Sequence, residues 1–171
     1  MHIPSVSLND KTLEYVDTVK YLGVYISGNF KDDVDIKRQL RSLYASGNTI
    51  SNKFSACSKN IQLQLLESYC LNFYCSTLWC NFSKLNLNKI RVAYNNIIRK
   101  LFGYNRRDSA SFMYVHHNID SFDTRLRKSV YKFQQRLFAC DNVIVQCING
   151  NTWICNNYMW HRWYSLLYIN F

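Results

Sequence analysis

Proline occurs once in this chain of 171 residues, at Pro4, and glycine occurs only five times. Both residues interrupt regular secondary structure, and β-sandwiches and barrels need them at their many turns. Their scarcity therefore favours long helices over an architecture of many short strands. Hydrophobic residues make up 48% of the chain and charged residues 19%, which indicates one domain with a buried core rather than a disordered polymer.

The sequence up to residue 30 has the alternation of apolar and polar residues that is typical of β-strands. Residues 5–16, "SVSLNDKTLEYV", predict two strands joined by a polar turn. Residues 19–27, "VKYLGVYIS", predict one further strand with Gly23 at its centre. A glycine in a strand costs about 0.5–1 kcal/mol relative to alanine. Its presence suggests that packing, a bulge or a ligand brings another group close to the backbone.

From residue 32 the hydrophobic spacing changes to the i, i+3, i+4 pattern of amphipathic helices. Asp32 or Asp33 is suited to cap the first helix. Gly47 interrupts the apolar stripe of that helix and is expected to bend it, and Gly103 is placed to end the third helix. The second helix has so broad an apolar surface that we expect it to be the most buried. The helices are predicted over residues 32–57, 58–80, 86–102, 109–117 and 121–138.

These patterns predict an α+β fold that is mainly α. A short antiparallel β element, made of a hairpin plus a strand, occupies residues 1–30. A bundle of four to five helices occupies residues 31–140. Residues 141–171 form an unusually aromatic tail to which the sequence pattern assigns no definite structure.

Seven cysteines are present, and none belongs to a C-x-x-C pair. This arrangement argues against a disulfide framework or a structural metal site, so we expect free thiols that are buried as small apolar side chains. Free thiols favour an intracellular location, nuclear or cytoplasmic. The N-terminus lacks a signal-peptide pattern, so we do not expect secretion, and no window of about 18 apolar residues predicts a membrane helix.

Positive charge is concentrated in one part of the chain. The formal net charge is +10. Residues 84–136 carry twelve Lys and Arg against three Asp, a balance of +9, whereas residues 1–83 carry eight basic and seven acidic residues, a balance of +1. Such a basic block indicates a polyanionic partner, nucleic acid before membrane. A solvated helix surface that is basic without a partner is the alternative.

The residues by themselves predict no catalytic and no metal site. A site for divalent cations needs two or three converging carboxylates, and the only acidic cluster is Asp32, Asp33 and Asp35. These residues stand at the start of a helix, where negative charge is favoured in any case. No glycine-rich phosphate loop is present either. The basic and aromatic residues on the predicted helices are typical of a protein that holds nucleic acid without cutting or joining it.

Several long stretches resemble the end of the reverse-transcriptase domain of LINE-type (non-LTR) retrotransposons. The similarity starts with "VKYLGVYIS" and continues through "DIKRQLRSLYASGNTISNKF" and "LQLLESYCLNFYCSTLWCNFSK". It then includes "LNKIRVAYNNIIRKLFGYNRRDSASFMYVHHNI" and "FDTRLRKSVYKF". Together these stretches cover about residues 5–135 in the family's order. The combination is more specific than the Tyr-Leu-Gly triplet alone.

The resemblance implies an assignment for each part of the chain. In that family the Tyr-Leu-Gly strand ends the palm and contributes to the primer grip, and the helices after it are the thumb. Residues 1–30 would then be a remnant of the palm sheet, and residues 31–140 a thumb-like domain. Tyr21, Leu22 and Gly23 would face the primer end, and packing of the strand against the first helix is the alternative for Tyr21 and Leu22.

The implied function is binding of the template–primer, RNA and DNA, within an RNA-directed DNA polymerase. Basic residues on the first, third and last predicted helices and in the loop after Gly103 would contact backbone phosphates. They are Lys37, Arg38, Arg41, Lys89, Arg91, Arg99, Lys100, Arg106, Arg107, Arg125, Lys128 and Lys132.

One departure from the family limits the expected activity. The palm aspartates of these polymerases, including a Tyr/Phe-x-Asp-Asp turn, precede the Tyr-Leu-Gly strand, and no such turn is found here; Asp32-Asp33 follows the strand. We therefore expect this chain alone to be inactive and to need no cofactor, magnesium being implied only for the full-length parent enzyme. The missing palm and fingers are an expected partner.

Two other functions are compatible with the same residues. The chain could be a stand-alone module that binds RNA or an RNA–DNA hybrid, with an affinity that falls steeply with salt. It could also be an inert remnant or a helical protein-interaction domain, which would have no affinity for polyanions.

Overall fold

The computed structural model describes residues 5–150 and 158–168. Two antiparallel hairpins are followed by helices, so the predicted α+β, mainly α class is confirmed. The strands are β1 (Ser7–Leu8), β2 (Lys11–Thr12), β3 (Thr18–Tyr21) and β4 (Val24–Ser27). The α-helices are α1 (Asp33–Lys53), α2 (Lys59–Tyr69), α3 (Lys84–Phe102), α4 (Ala110–His117), α5 (Phe122–Phe138), α6 (Val143–Gly150) and α7 (Tyr158–Tyr168), and a 3-10 helix spans Ser76–Leu78.

The predicted single strand over residues 19–27 is wrong, because this segment folds back on itself as the hairpin of β3 and β4. Tyr21 pairs with Val24, so Leu22 and Gly23 form a two-residue turn. Their φ angles are 45° and 82°, and two successive positive values define a type I′ turn. Glycine adopts such angles without strain. Gly23 therefore has a local role in the turn.

Helix α1 runs without interruption past Gly47. At this residue its backbone lies against Ile97 of α3. A Cβ atom added to Gly47 would be 2.9 Å from Cδ1 of Ile97. A glycine at this position lets α1 and α3 approach closely.

Helix α3, and not α2, has the most buried residues among the described helices. The apolar face predicted for α3 is confirmed, and so is Gly103 as the residue that ends it, with a φ of 76°. Only Gln62 and Leu66 of α2 are buried. The buried residues of α3 are Asn86, Leu87, Ile90, Ala93, Tyr94, Ile97, Ile98 and Leu101.

The predicted helix over residues 58–80 ends at Tyr69, about ten residues early. The chain then takes an irregular path through the short 3-10 helix, which Cys75 precedes in the left-handed conformation with a φ of 59°. Leu71 and Trp79 belong to this irregular segment, and both are buried. Apolar residues of this segment face the core from several backbone directions. In the sequence they therefore resemble a helix that is apolar on most of its surface.

The described part of the aromatic tail packs on the helical core. Trp163 of α7 is 0% exposed, and its indole N–H donates a hydrogen bond of 2.9 Å to the carbonyl oxygen of Thr77. The ring of Phe133 meets the Trp163 ring edge-on, with centroids 5.5 Å apart. Residues 151–157 and 169–171 of the predicted tail lie outside the described residues.

The cysteines that the structure describes are thiols, as predicted, but the expectation that they are all buried is wrong. Cys70 is buried, Cys147 is exposed, and the other described cysteines are half-buried. The irregular segment and the short α6 place several thiols at the edge of the core instead of inside it. Cys155 lies outside the described residues. In the described ranges, no helix combines the length and the apolar character that a bilayer crossing requires.

Candidate nucleic-acid interface

The acidic residues at the start of α1 bind the irregular segment that precedes α3. The carboxylate of Asp32 accepts hydrogen bonds from the backbone N–H groups of Cys80 and Asn81, at 2.8 and 2.7 Å. Asp33 accepts one from the backbone N–H of Ser83 at 2.9 Å. Asp32 occupies the N-cap position of α1, as predicted, but its carboxylate makes no capping hydrogen bond to that helix, because it accepts from Cys80 and Asn81.

The pKa values of the two carboxyls shift in opposite directions. Burial raises the pKa of Asp32, against the lowering effect of the two backbone N–H donors. Burial would also raise the pKa of Asp33, but hydrogen bonds from Asn86 and Ser83 outweigh it and the pKa is lowered. Within the residues described, no group of three or more His, Cys, Asp or Glu side chains is placed to hold a metal ion.

Asp35 is buried and connects three parts of the fold. Its Oδ1 accepts hydrogen bonds from the backbone N–H of Tyr25 at 3.2 Å and from Nε of Arg38 at 2.7 Å. Its Oδ2 accepts one from the indole of Trp79 at 3.0 Å. This carboxylate therefore fixes the β3–β4 hairpin relative to α1 and to the irregular segment.

The hairpin tip, defined as Tyr21, Leu22 and Gly23, projects from the molecule. Tyr21 is 63% exposed and Leu22 is 73% exposed, so neither side chain packs against α1. The backbone at Gly23 is instead approached by the ring of Tyr74, and an added Cβ would be 3.4 Å from its Cε1 atom. The two side chains at the tip are available to a partner.

Tyr74 joins this tip to the helices. Its hydroxyl donates a hydrogen bond of 3.0 Å to the carbonyl oxygen of Leu22. Its own carbonyl oxygen accepts a hydrogen bond of 2.8 Å from Nε2 of Gln39, which is buried on α1. No sequence signal indicates this role, because the prediction placed Tyr74 inside a helix.

Tyr74 also lines a groove between residues 71–74 and α5, which we call the α5 groove. Its volume is about 320 Å³. Three cationic side chains line it together with apolar, amide, hydroxyl and carboxylate side chains. The lining residues are Leu71, Asn72, Phe73, Tyr74, Asp120, Arg125, Lys128, Ser129 and Lys132.

The three cations of the α5 groove differ in their availability. Arg125 is largely buried and donates hydrogen bonds to Glu67 and, at 3.0 Å, to the hydroxyl of Tyr94. Lys128 pairs with both oxygens of Asp120, but its side chain is 59% exposed. Lys132 has no hydrogen-bond or ionic partner among the residues that the structure describes. An anion in the groove would therefore meet Lys132 first and could draw Lys128 away from Asp120, since exposed ion pairs are weak.

The predicted cations of α1 divide in the same way. Arg38 is held by Asp35, and its Nη2 atom is buried without a hydrogen-bond partner in the described part of the chain. Lys37 and Arg41 are exposed. Neither forms a hydrogen bond or ion pair with a described residue.

Most of the predicted cations of α3 have intramolecular partners. Arg91 forms a two-point ion pair with Asp123 of α5, at 2.8 and 2.7 Å. Arg99 donates to the carbonyl oxygen of Asp108 at 3.0 Å, and Lys100 donates to the Asn48 side chain at 2.9 Å. The remaining predicted cation of α3, Lys89, is exposed.

Arg106 and Arg107 lie in the loop between α3 and α4 and are both exposed. Neither forms a hydrogen bond or ion pair with a residue in the described ranges. The predicted cationic residues thus fall into three groups. Arg38, Arg91, Arg99 and Arg125 stabilise the fold, and Lys100 and Lys128 pair with Asn48 and Asp120 at exposed positions. The third group has no partner among the described residues and consists of Lys37, Arg41, Lys89, Arg106, Arg107 and Lys132.

Comparison with known proteins identifies no relative. No protein-family model matches the chain, and neither a curated protein nor a solved structure matches it.

Proposed function

We propose that this chain is a template–primer-binding fragment of an RNA-directed DNA polymerase of the non-LTR retrotransposon type. The observation that carries the proposal is the junction at Tyr74, which joins the exposed hairpin tip to the α5 groove. The sequence resemblance over about residues 5–135 assigns the tip to a primer grip and α5 to a thumb. A strand end beside a row of cations suits a nucleic-acid backbone, because lysine and arginine neutralise phosphates irrespective of base sequence.

The hairpins support a second part of the proposal, namely that the missing palm and fingers are a partner. Their strands are only two or four residues long and pair in two separate two-stranded sheets. Such sheets are marginally stable alone and expose edges that readily pair with further strands. Large apolar side chains remain exposed along them, among them Val6, Leu8, Leu13, Val16, Val19 and Tyr21. A palm sheet would cover these side chains.

We propose that the isolated chain binds without catalysing polymerisation and acts inside the cell, in the nucleus or the cytoplasm. The carboxylates at the start of α1 already accept hydrogen bonds from backbone and side-chain donors, which supports a structural role for them. Purified chain given a primed RNA template, dNTPs and Mg²⁺ should produce no extended primer. Extension by this chain would overturn this part of the proposal.

The decisive test of binding is a salt titration of the purified chain with an RNA–DNA hybrid. If the six cations without partners are the ones that neutralise phosphates, log Kd should rise with log salt with a slope of about 2 to 5. Lys132→Ala should weaken binding and lower the slope by about 1. Lys53→Ala removes the same charge from the end of α1, outside the proposed surface, and serves as the matched control. Absence of binding at low salt, or equal effects of the two variants, would contradict the proposal.

A further inference from the structure

Five aromatic rings at the end of α3 and in α4 contact one another. We call them the aromatic cluster; they are Phe102, Tyr104, Phe112, His116 and His117. Phe102 and His117 stack with ring centroids 3.6 Å apart and an angle of 16° between the planes. Phe112 and His116 stack at 5.5 Å and 28°. The proposed binding of phosphates does not involve these rings.

The cluster is anchored on one side and open on the other. The Tyr104 hydroxyl and Nε2 of His117 are 3.0 Å apart in a hydrogen bond, which holds the inner rings in place. Phe112 is 59% exposed, and His116 is exposed beside it. Two roughly parallel rings therefore present their surface to solvent on a fixed support.

The surroundings of the cluster are basic. Residues 99–117 contain Arg99, Lys100, Arg106 and Arg107 but a single acid, Asp108. The carboxylate of Asp108 accepts a hydrogen bond of 2.6 Å from the backbone N–H of Asn105 and stabilises the loop. Four bases against one acid give a balance of +3. Arg106 and Arg107 lie in the loop that leads into α4 and have no hydrogen-bond or ionic partner in the described part of the chain.

We propose that the aromatic cluster stacks on an unpaired nucleobase while Arg106 and Arg107 bind the neighbouring phosphates of that single strand. The inference rests on the proposed function and adds to it a second contact, for the single-stranded part of the nucleic acid. Aromatic side chains beside cations are how proteins bind single strands without base preference, because every base has a π face. The bases of a duplex already stack on each other, so the cluster distinguishes an unpaired strand from a hybrid.

The charge decides between a nucleic acid and a protein as the occupant. An apolar peptide would cover the rings but leave both arginines without a counter-charge. A single strand of nucleic acid supplies a planar ring and a phosphate within one nucleotide. This match of an uncovered ring pair with two unpartnered cations is the basis of the proposal.

The test compares two labelled probes by fluorescence anisotropy at constant salt: an oligo(U) strand of about twelve nucleotides and an RNA–DNA hybrid of the same length. Phe112→Ala should weaken binding of oligo(U) about fivefold or more, since one base loses its stacking partner. Binding of the hybrid should change less than about twofold. Tyr69→Ala is the matched control, because Tyr69 is 75% exposed on α2 and lies outside the basic region. It should affect neither probe.

A second variant keeps the result interpretable if the alanine change disturbs α4. Phe112→Trp preserves the ring and should retain oligo(U) affinity, and its fluorescence should be quenched by the stacked base. Arg106→Ala with Arg107→Ala should weaken both probes. If the wild-type chain binds both probes and Phe112→Ala binds oligo(U) equally well, the inference is wrong while the proposed function stands. If the wild-type chain binds neither probe, the proposed function fails, and the inference with it.

Discussion

Trp79 donates its indole N–H to the buried carboxylate of Asp35 across 3.0 Å. The two residues are 44 positions apart, and the bond connects the first turn of α1 to the segment that leads into α3. Asp35 also accepts from the backbone of β4. One carboxylate therefore holds the hairpin, α1 and the segment before α3 together, and so fixes the position of the hairpin tip.

Replacing this carboxylate should cost much of the protein's stability. In Asp35→Asn, the amide NH₂ would face groups that are themselves donors, and Arg38 would lose its counter-charge. We expect the free energy of unfolding to fall by about 2–4 kcal/mol, as when one partner of a buried pair is removed. Urea denaturation followed by circular dichroism measures this change.

The control for this prediction is Asp33→Asn, which also removes a carboxylate from the first turn of α1 but at a half-buried site, whereas Asp35 is buried. Its effect should stay below about 1 kcal/mol. Similar losses in the two variants would show that helix-terminus charge, and not the buried network, is responsible.

Gly47→Ala tests the close contact between α1 and α3. The methyl group would lie 2.9 Å from Cδ1 of Ile97, and overpacking of this kind costs about 1–3 kcal/mol. Alanine in place of glycine inside a helix stabilises by about 1 kcal/mol. Overpacking should prevail, with a net loss of about 1 kcal/mol and a lower Tm by differential scanning fluorimetry.

Combining this change with Ile97→Val removes the methyl group that is nearest to the new Cβ. The double variant should be more stable than the sum of the two single effects predicts, with a coupling energy of at least about 0.5 kcal/mol. Strict additivity would mean that the helices separate slightly and that Ile97 is not the obstacle.

The division of the basic residues predicts that charge removal has two distinct outcomes. Arg91→Ala breaks the half-exposed pair with Asp123 and should lower stability by about 0.5–1 kcal/mol. Lys132→Ala should leave stability within about 0.5 kcal/mol and instead reduce affinity for the hybrid. Thermal denaturation and anisotropy on the same two variants check both halves. Equal loss of affinity with unchanged stability in both would refute the division.

Stability should decline at alkaline pH. Burial raises the pKa of the Cys70 thiol from 9.0 to about 11, against a hydrogen bond from Ser46. Burial also raises the pKa of Tyr94 from 10.0 to about 12. Both groups ionise more easily in the unfolded chain, so their contribution to stability is complete below pH 9 and is lost as pH rises towards 12.

Urea denaturation across this pH range measures the decline. Cys70→Ala should delay its onset to the range where Tyr94 ionises, because only the phenol then remains. An onset that does not move in Cys70→Ala would assign the whole effect to Tyr94.

Exposed Cys147 offers a comparison within the same molecule: it should react with iodoacetamide at pH 8 in the folded protein, while Cys70 should not.

The sequence was sufficient for the long amphipathic helices. The spacing of Ile90, Tyr94, Ile97 and Leu101 predicts one apolar helix face, and these residues form the buried face of α3. Helix α5 follows the same rule with Phe122, Leu126 and Val130. Such helices can be predicted from a short window of sequence, because the apolar residues of their buried stripe repeat every three to four residues.

Elements that depend on distant contacts were predicted less well. The turn at Leu22 and Gly23 separates two strands of the same alternating pattern, so the pattern does not show where the chain reverses. Residues 70–83 are apolar enough for a helix, but Asp32 and Asp35 bind this segment in another conformation from across the fold. Such competition between local preference and tertiary contacts leaves no mark in a short window of sequence.

For the candidate site, the sequence supplied the cations but not their availability. Arg91 and Lys132 look alike in a basic block, and only the position of Asp123 separates them. Tyr74 could not be found, because its role depends on a contact with Leu22, which lies 52 positions away. The role of Tyr74 depends on both surfaces that it connects, and the sequence around Tyr74 describes only one of them.

The burial of Trp163 has a consequence for how the chain is made. The indole fills a site formed by Thr77 and Phe133, and translation adds it 30 residues after Phe133. At rates of about 5–20 residues per second, synthesis of those 30 residues takes roughly two to six seconds. The helical body therefore completes its packing only after the tryptophan has been synthesised, so the last described helix is needed before the core is filled.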